Sequence, residues 1–241
     1  MALQDGDVVK FDYTLWVDGK PVETSDEAVA KKEGIFREGR RYRPLTVSLG
    51  GRQIIPGLES HIRSHGQVGT PVKVELAAAD AYGERSADKV RDIPMAQFKK
   101  QKVEPKVGMQ VGLEGQQGIV TRVAGGRVRV DLNHDLAGKP LTYEYTIREV
   151  VGDDKAKVEA VLANLFQPGS YKVTVDDQAV TFEVPEGAKF DQNWMMAKFR
   201  IVAELRAATQ KRKEIRLLEV FPVTDEEPGH EGHGHGPGEG H

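Results

Sequence analysis

Near the start of the chain, Val8, Phe11, Tyr13, Leu15 and Val17 recur close to every second position, which predicts a strand. Asp18-Gly19 then supplies a tight hairpin turn into a second strand over 20–24. Leu45–Leu49 reads as a further strand, closed by Gly50-Gly51. Gln53–Ile62 reads as a turn running into a short helix, with Ile54, Ile55, Leu58 and Ile62 as its apolar stripe. Residues 70–76 are again strand-like, and Asp80-Ala81-Tyr82-Gly83 closes them. Residues 84–130 change character. Pro94 can open a short helix over 95–100, and the turn Ala124-Gly125-Gly126 separates two short strands, 119–123 and 128–132. A long alternating strand follows, with Leu141, Tyr143, Tyr145 and Ile147 on one face and Thr142, Glu144 and Thr146 on the other.

Beyond Gly152 the period changes to that of a helix. Val158, Val161, Leu162, Leu165 and Phe166 keep helical spacing, Asp153 or Asp154 can cap the start, and Pro168-Gly169 stops it. Tyr171, Val173 and Val175 alternate, as do Val180, Phe182 and Val184 across an Asp176-Asp177 turn. Asp191 can cap a second helix carrying Trp194, Met195, Phe199, Val202 and Leu205, and 215–221 makes a last strand. The order α-β-β-α-β predicts a small α+β domain over 153–223. The second helix has more large apolar residues than so small a domain buries. Trp194, Met195 and Phe199 are therefore candidates for a surface that joins two chains into a homodimer or meets unfolded clients.

Composition narrows the class. At 241 residues with 39% apolar content, two or three domains are expected. The net charge of −3, with both signs interspersed, gives no reason to expect nucleic acid or an anionic membrane as partner. Residues 25–43 carry Lys31, Lys32, Arg37, Arg40, Arg41 and Arg43, but acidic residues are interleaved and aromatics few, so a solvated loop is expected over a nucleic-acid patch. With no cysteine, disulfides, thiolate chemistry and Cys-based zinc sites are excluded. The start has neither a basic residue nor an apolar run, and no stretch approaches bilayer length, so a cytoplasmic protein is expected. The segment 224–241 is rich in Gly and His and is expected to be disordered.

Five stretches, taken in order, resemble the FKBP-type peptidyl-prolyl cis-trans isomerases, and among them the SlyD-like and long archaeal members. Val8–Thr24, with Phe11-Asp12-Tyr13 and Val22-Glu23-Thr24-Ser25, resembles their first two strands. Leu49-Gly50 through Ile54-Ile55-Pro56-Gly57-Leu58-Glu59 resembles the strand-to-helix pocket floor, and Gly66-Gln67-Val68-Gly69 the turn after that helix. Asp80-Ala81-Tyr82-Gly83 is the family's most recognisable tetrapeptide. Asn133–Leu141 resembles the block that returns to the closing strand. The resemblance implies an α+β fold: an antiparallel half-barrel on one short helix (1–85 plus 131–151), an insert-in-flap domain (86–130) that binds unfolded polypeptide, and the C-terminal domain of the long archaeal members.

It also implies a reaction. Turning an X–Pro bond needs no acid, base or metal, because the barrier is the amide resonance lost on twisting. A dry apolar pocket favours the twisted, less polarised amide over the planar one. By resemblance the wall falls on Tyr13, Val22, Leu45, Ile54, Ile55, Leu58, Tyr82 and Tyr143. Tyr82 would offer its hydroxyl, and Ile55 its backbone N–H, to a substrate carbonyl, with Leu58 as the floor. Glu23 stands where the family usually has Asp. Leu45 and Val22 replace aromatic residues common in drug-binding members, so weak binding of macrolide inhibitors is expected. In the insert, Met95, Phe98, Val103, Val107, Met109, Val111 and Leu113 either line an adaptable client groove or form the insert's own core; both readings stand.

No cofactor is required for such a reaction. His230, His233, His235 and His241 are candidate nickel or zinc ligands in the tail, as in SlyD-like proteins. His61 and His65 lie four residues apart, the spacing of a two-ligand site on a helix or of two solvated imidazoles. His134 is expected to serve the structure. The competing functions are a polypeptide-binding chaperone that does not catalyse and a metal-handling protein acting through the tail.

Overall fold

The computed structural model describes residues 2–113, 115–166, 171–210 and 214–221. The expected α+β architecture is present. Its elements are β1 (Val8–Val17), β2 (Lys20–Thr24), α1 (Glu27–Lys32), β3 (Leu45–Ser48), α2 (Pro56–His65) and β4 (Pro71–Leu76); then β5 (Val90–Pro94), α3 (Met95–Lys100), β6 (Gln110–Leu113), β7 (Gln116–Ala124) and β8 (Arg127–Asp131); then β9 (Leu141–Val151), α4 (Asp154–Leu165), β10 (Lys172–Val175), β11 (Ala179–Glu183), α5 (Glu186–Lys189), α6 (Gln192–Ala208) and β12 (Glu214–Leu218).

The first sheet has the order β2-β1-β9-β4, and β3 joins the edge of β1 that β2 also uses. Alternation puts Phe11, Leu15, Val17, Leu141, Tyr143 and Ile147 on the concave face. There they close over Leu58 and Ile62 of α2. Pro56 occupies the first turn of α2, where its missing N–H costs nothing. The helix passes so near the turn over 78–80 that a Cβ on Gly57 would stand 2.7 Å from the Asp80 carbonyl oxygen. Ile54 and Ile55 precede the helix and belong to its entry turn, not to its stripe.

Residues 25–43 are not wholly the solvated loop expected of them. Asp26 caps α1 by accepting from the Val29 N–H, Ala30 is buried, and Phe36 stacks on Tyr42. A helix of one and a half turns is too short to show a period, so only the cap residue signals it.

The insert leaves after Gly83 as a four-stranded antiparallel sheet, β5-β8-β7-β6, around Ile93, Phe98, Val120, Val128 and Val130. Its two connecting chains are tied together. The Asn133 side chain exchanges hydrogen bonds with the Ser86 backbone at 2.9 and 3.0 Å, Arg85 pairs with Asp131, and Gly138 N–H donates to the Gly83 carbonyl.

The C-terminal unit packs α4 and α6 on a sheet β10-β11-β12, with β12 parallel to β11. Val8 and Val151 of the first sheet are buried in its core, so β1 and β9 serve two cores from opposite faces. Asn164 reinforces the junction by donating to the Thr46 carbonyl and accepting from Arg43. Trp194 is fully buried and does not contribute to an exposed surface. Its ring meets Phe182 and Phe166 edge-on or tilted, as the largest plug of that core. Met195 and Phe199, together with Met196 and Phe190, remain exposed. Among the described residues no helix is long and apolar enough to cross a membrane.

Candidate active site

Where β1, β9 and α2 converge, a hollow of about 290 Å³ opens on the concave face. Its wall is Phe11, Tyr13, Glu23, Leu45, Gln53, Ile54, Ile55, Leu58, Tyr82 and Tyr143. Each arrives for a local reason. Phe11 and Tyr13 point inward by strand alternation in β1, and Tyr143 does so in β9, opposite Leu15. Ile54 and Ile55 lie in the entry turn of α2 and Leu58 on its first buried turn. Tyr82 follows the 3-10 turn over 78–80, which is closed by the Gly83 N–H donating to the Ala78 carbonyl.

Of the expected wall, Val22 does not line the hollow. It is exposed, because alternation in β2 turns Glu23 inward and Val22 outward. Phe11 and Gln53 join the wall without having been expected. Phe11 shares the face of Tyr13 on the alternating strand and was findable from that pattern. Gln53 gave no sequence signal; its side-chain oxygen accepts from the Ser48 N–H at 2.6 Å and so ties the entry turn to β3. A hollow of about 330 Å³ lies on the sheet's outer side, beside α1, where Asp12, Thr14, Glu144 and Thr146 line it. It shares Tyr13 with the concave hollow and also meets Val72 and Tyr145, but neither Leu58 nor Tyr82 reaches it.

Polar groups gather at the rim. The Tyr13 hydroxyl donates to Glu23 Oε1 at 2.7 Å, and Arg40 donates to the same oxygen at 2.7 Å. Arg40 is the functional-looking residue hidden in the basic loop, and nothing in the sequence separates it from its five basic neighbours. Burial, followed by the Glu23 hydrogen bond, pushes the Tyr13 hydroxyl well above the usual phenol range. Burial first, then Tyr82 and Glu23, does the same for Tyr143. Tyr82 is raised by burial and by Glu23. All three phenols therefore stay protonated as hydrogen-bond donors across neutral pH. The Ile55 N–H has no acceptor among the described residues.

The other candidates divide. Phe98 is buried in the insert's own core, so it is not a surface for clients; a four-stranded sheet with few apolar residues needs that ring to close it. Met95, Val103, Val111 and Leu113 pack against the same core, half-buried, while Met109 and Val107 are exposed. His61 and His65 stack at 4.5 Å, and His61 Nδ1 lies 3.0 Å from the Tyr145 hydroxyl. Burial, then the neighbouring His65, lowers the His61 pKa. No three metal-binding side chains cluster among the described residues. His230, His233, His235 and His241 lie outside them.

An aromatic-walled hollow with hydrogen-bond donors at its rim suits a reaction that only twists a bond. Residues 1–101 match the family model described as FKBP-type peptidyl-prolyl cis-trans isomerase. The short-type peptidyl-prolyl cis-trans isomerase of Methanocaldococcus jannaschii is 34% identical over 148 residues, 61% of this chain and 94% of that protein. The chain belongs to the FKBP-type peptidyl-prolyl cis-trans isomerase family. Two further stretches match models described as "FKBP26, IF domain" (91–136) and "FKBP26_C-terminal" (154–222). The FKBP-type isomerase SlyD of Treponema pallidum is 31% identical over 168 residues, 65% of this chain and 84% of that protein. SlyD of Helicobacter pylori is 29% identical over 130 residues, 53% and 68%. The activity of this FKBP is peptidyl-prolyl cis-trans isomerisation.

Proposed function

We propose that the hollow above Leu58 is where this FKBP turns the X–Pro bond, and that the enzyme is also a folding chaperone whose insert recruits unfolded polypeptide. The observation that carries the first part is the convergence of Tyr13, Tyr82, Tyr143, Ile54, Ile55 and Leu58 on one small cavity. The proline ring sits against the Leu58 floor, among the tyrosine faces. Tyr82 Oη and the Ile55 N–H donate to the backbone carbonyls flanking the proline. The apolar wall then binds the twisted amide, with its diminished charge separation, better than the planar one. Tyr13, fixed by Glu23, keeps the wall rigid, so the pocket does not reorganise during the turn.

The exposed Met109 and Val107 support the second part, since they stand outside the insert's core and free to meet a client. The exposed Phe190, Met195, Met196 and Phe199 support a homodimer formed through the C-terminal domain.

The deciding experiment is a proline-limited refolding reaction with catalytic amounts of the parent protein, Leu58→Ala and Tyr82→Phe. Acceleration by the parent, with loss in Leu58→Ala and a smaller loss in Tyr82→Phe, is expected. Undiminished catalysis by Leu58→Ala would remove the floor from this hollow. No acceleration, with aggregation of a denatured client still suppressed, would make the half-barrel a binding module.

A further inference from the structure

Tyr82 stands at the pocket rim with 38% of its surface exposed, outside any strand or helix. An exposed loop side chain of this kind ordinarily samples several rotamers, and a hydroxyl that must meet a substrate carbonyl loses affinity in doing so. Its ring is nevertheless covered on one face. His134 lies parallel to it, with centroids 3.9 Å apart and planes within 4°. These residues are far apart in sequence, and the whole insert separates them.

The imidazole is itself held. The Leu136 N–H donates to His134 Nδ1 at 3.2 Å, which fixes the ring's orientation and leaves that nitrogen as an acceptor. The loop beneath is clamped to the Tyr82 loop on both sides. Asn133 exchanges hydrogen bonds with the Ser86 backbone, and the Gly138 N–H meets the Gly83 carbonyl at 2.9 Å. The stack thus joins two pinned loops, and its far side is the phenol that borders Glu23 and Tyr143 across the hollow.

The geometry points to His134 as a positioning residue of the isomerase: its ring holds Tyr82 so that the hydroxyl is aimed into the pocket. This rests on the reading of Tyr82 as a substrate hydrogen-bond donor. It touches no substrate itself, and it acts only through the face of Tyr82. An aromatic stack of this kind implies an effect of about three- to tenfold on the rate constant it supports.

The test is a cycle of His134→Ala, Tyr82→Phe and the double variant, with His134→Phe as rescue, measured as kcat/KM on a proline-containing peptide. The expected result is a fall of about three- to tenfold in His134→Ala and near-parent activity in His134→Phe. In the Tyr82→Phe background, His134→Ala should cost nothing more. The Tyr82 ring protons, shifted upfield by the stacked imidazole in the proton NMR spectrum, should move downfield in His134→Ala and stay shifted in His134→Phe. Thermal unfolding of each variant controls for loss of fold. Parent-like activity in His134→Ala, failure of His134→Phe to rescue, or additive losses in the double variant would each overturn the inference while leaving the pocket in place. Parent-like activity in Tyr82→Phe alone would instead overturn the role given to that hydroxyl, and this inference with it.

Discussion

Glu23 Oε1 accepts from both Tyr13 and Arg40 at 2.7 Å, so a single oxygen joins the pocket wall to the basic loop. The family resemblance puts Asp more often at this place, whereas here the longer Glu23 side chain makes both bonds. Glu23→Asp, although it restores the commoner residue, should therefore break one of the two bonds. A fall of about two- to fivefold in kcat/KM on a proline peptide is expected, with thermal stability nearly unchanged because the pair is partly solvated. Equal or higher activity would show that the frame adapts to the shorter carboxylate. Eight of the wall residues were legible in the sequence through the family resemblance, and alternation supports it only on the strands, at Tyr13 and Tyr143. Val22 was misplaced because a motif match says nothing about which face of a strand a residue takes. Arg40 and Gln53 were illegible because their partners, Glu23 and the Ser48 N–H, are brought near only by the turn that follows.

At the scale of elements, the pocket depends on how closely α2 approaches the turn that leads to Tyr82. Glu59 secures the helix from the other side: its Oε1 accepts from the Gly50 N–H at 2.7 Å and from Arg63 at 2.5 Å. Gly57 has no room for a side chain, since a Cβ there would meet Asp80 O at 2.7 Å, Asp80 Cβ at 2.9 Å and Leu76 Cδ2 at 3.1 Å. Two of those three atoms belong to Asp80 in the turn, one of them backbone, so the helix or the turn must shift. Gly57→Ala should destabilise the protein by about 1–3 kcal/mol in urea unfolding. It should also lower peptide isomerisation beyond what that loss explains, because Leu58 and Tyr82 move apart. A stability within a few tenths of a kcal/mol of the parent's would mean the turn yields freely. The long strands β1 and β9 were plain in the sequence, since ten or more residues hold a period, whereas two of the four stripe residues read for α2 belong to its entry turn. The six residues of α1 fell below that threshold.

At the scale of the molecule, three cores meet at β1, β9 and the insert's stem. The stem carries both the insert and His134, so the insert is mechanically continuous with the pocket rim. Deleting 86–130 and rejoining the chain should slow catalysis of protein refolding far more than catalysis on a short peptide, since a peptide needs the pocket alone. Equal losses on both substrates would mean that the insert supports the pocket and recruits nothing. At the other end, Phe190, Met195, Met196 and Phe199 leave a large apolar area of α5 and α6 and their junction uncovered. Sedimentation should give the mass of a dimer for the parent and of a monomer for Phe199→Glu. A monomeric parent at high concentration would leave that surface to clients instead.

The sequence by itself determined the class, the order of elements and most of the pocket's residues. Periodicity and turn chemistry are local, and the five ordered stretches lie in a chain whose insertions do not disturb them. What only the tertiary structure decided are the facts that join distant segments. These are the plug role of Trp194 and Phe98, the sharing of Val8 and Val151 with a second core, the bond of Arg40 to Glu23, and the stack of His134 on Tyr82. Each depends on which of a residue's faces meets another part of the chain, and that is set by packing across the whole molecule, not by the neighbours in sequence.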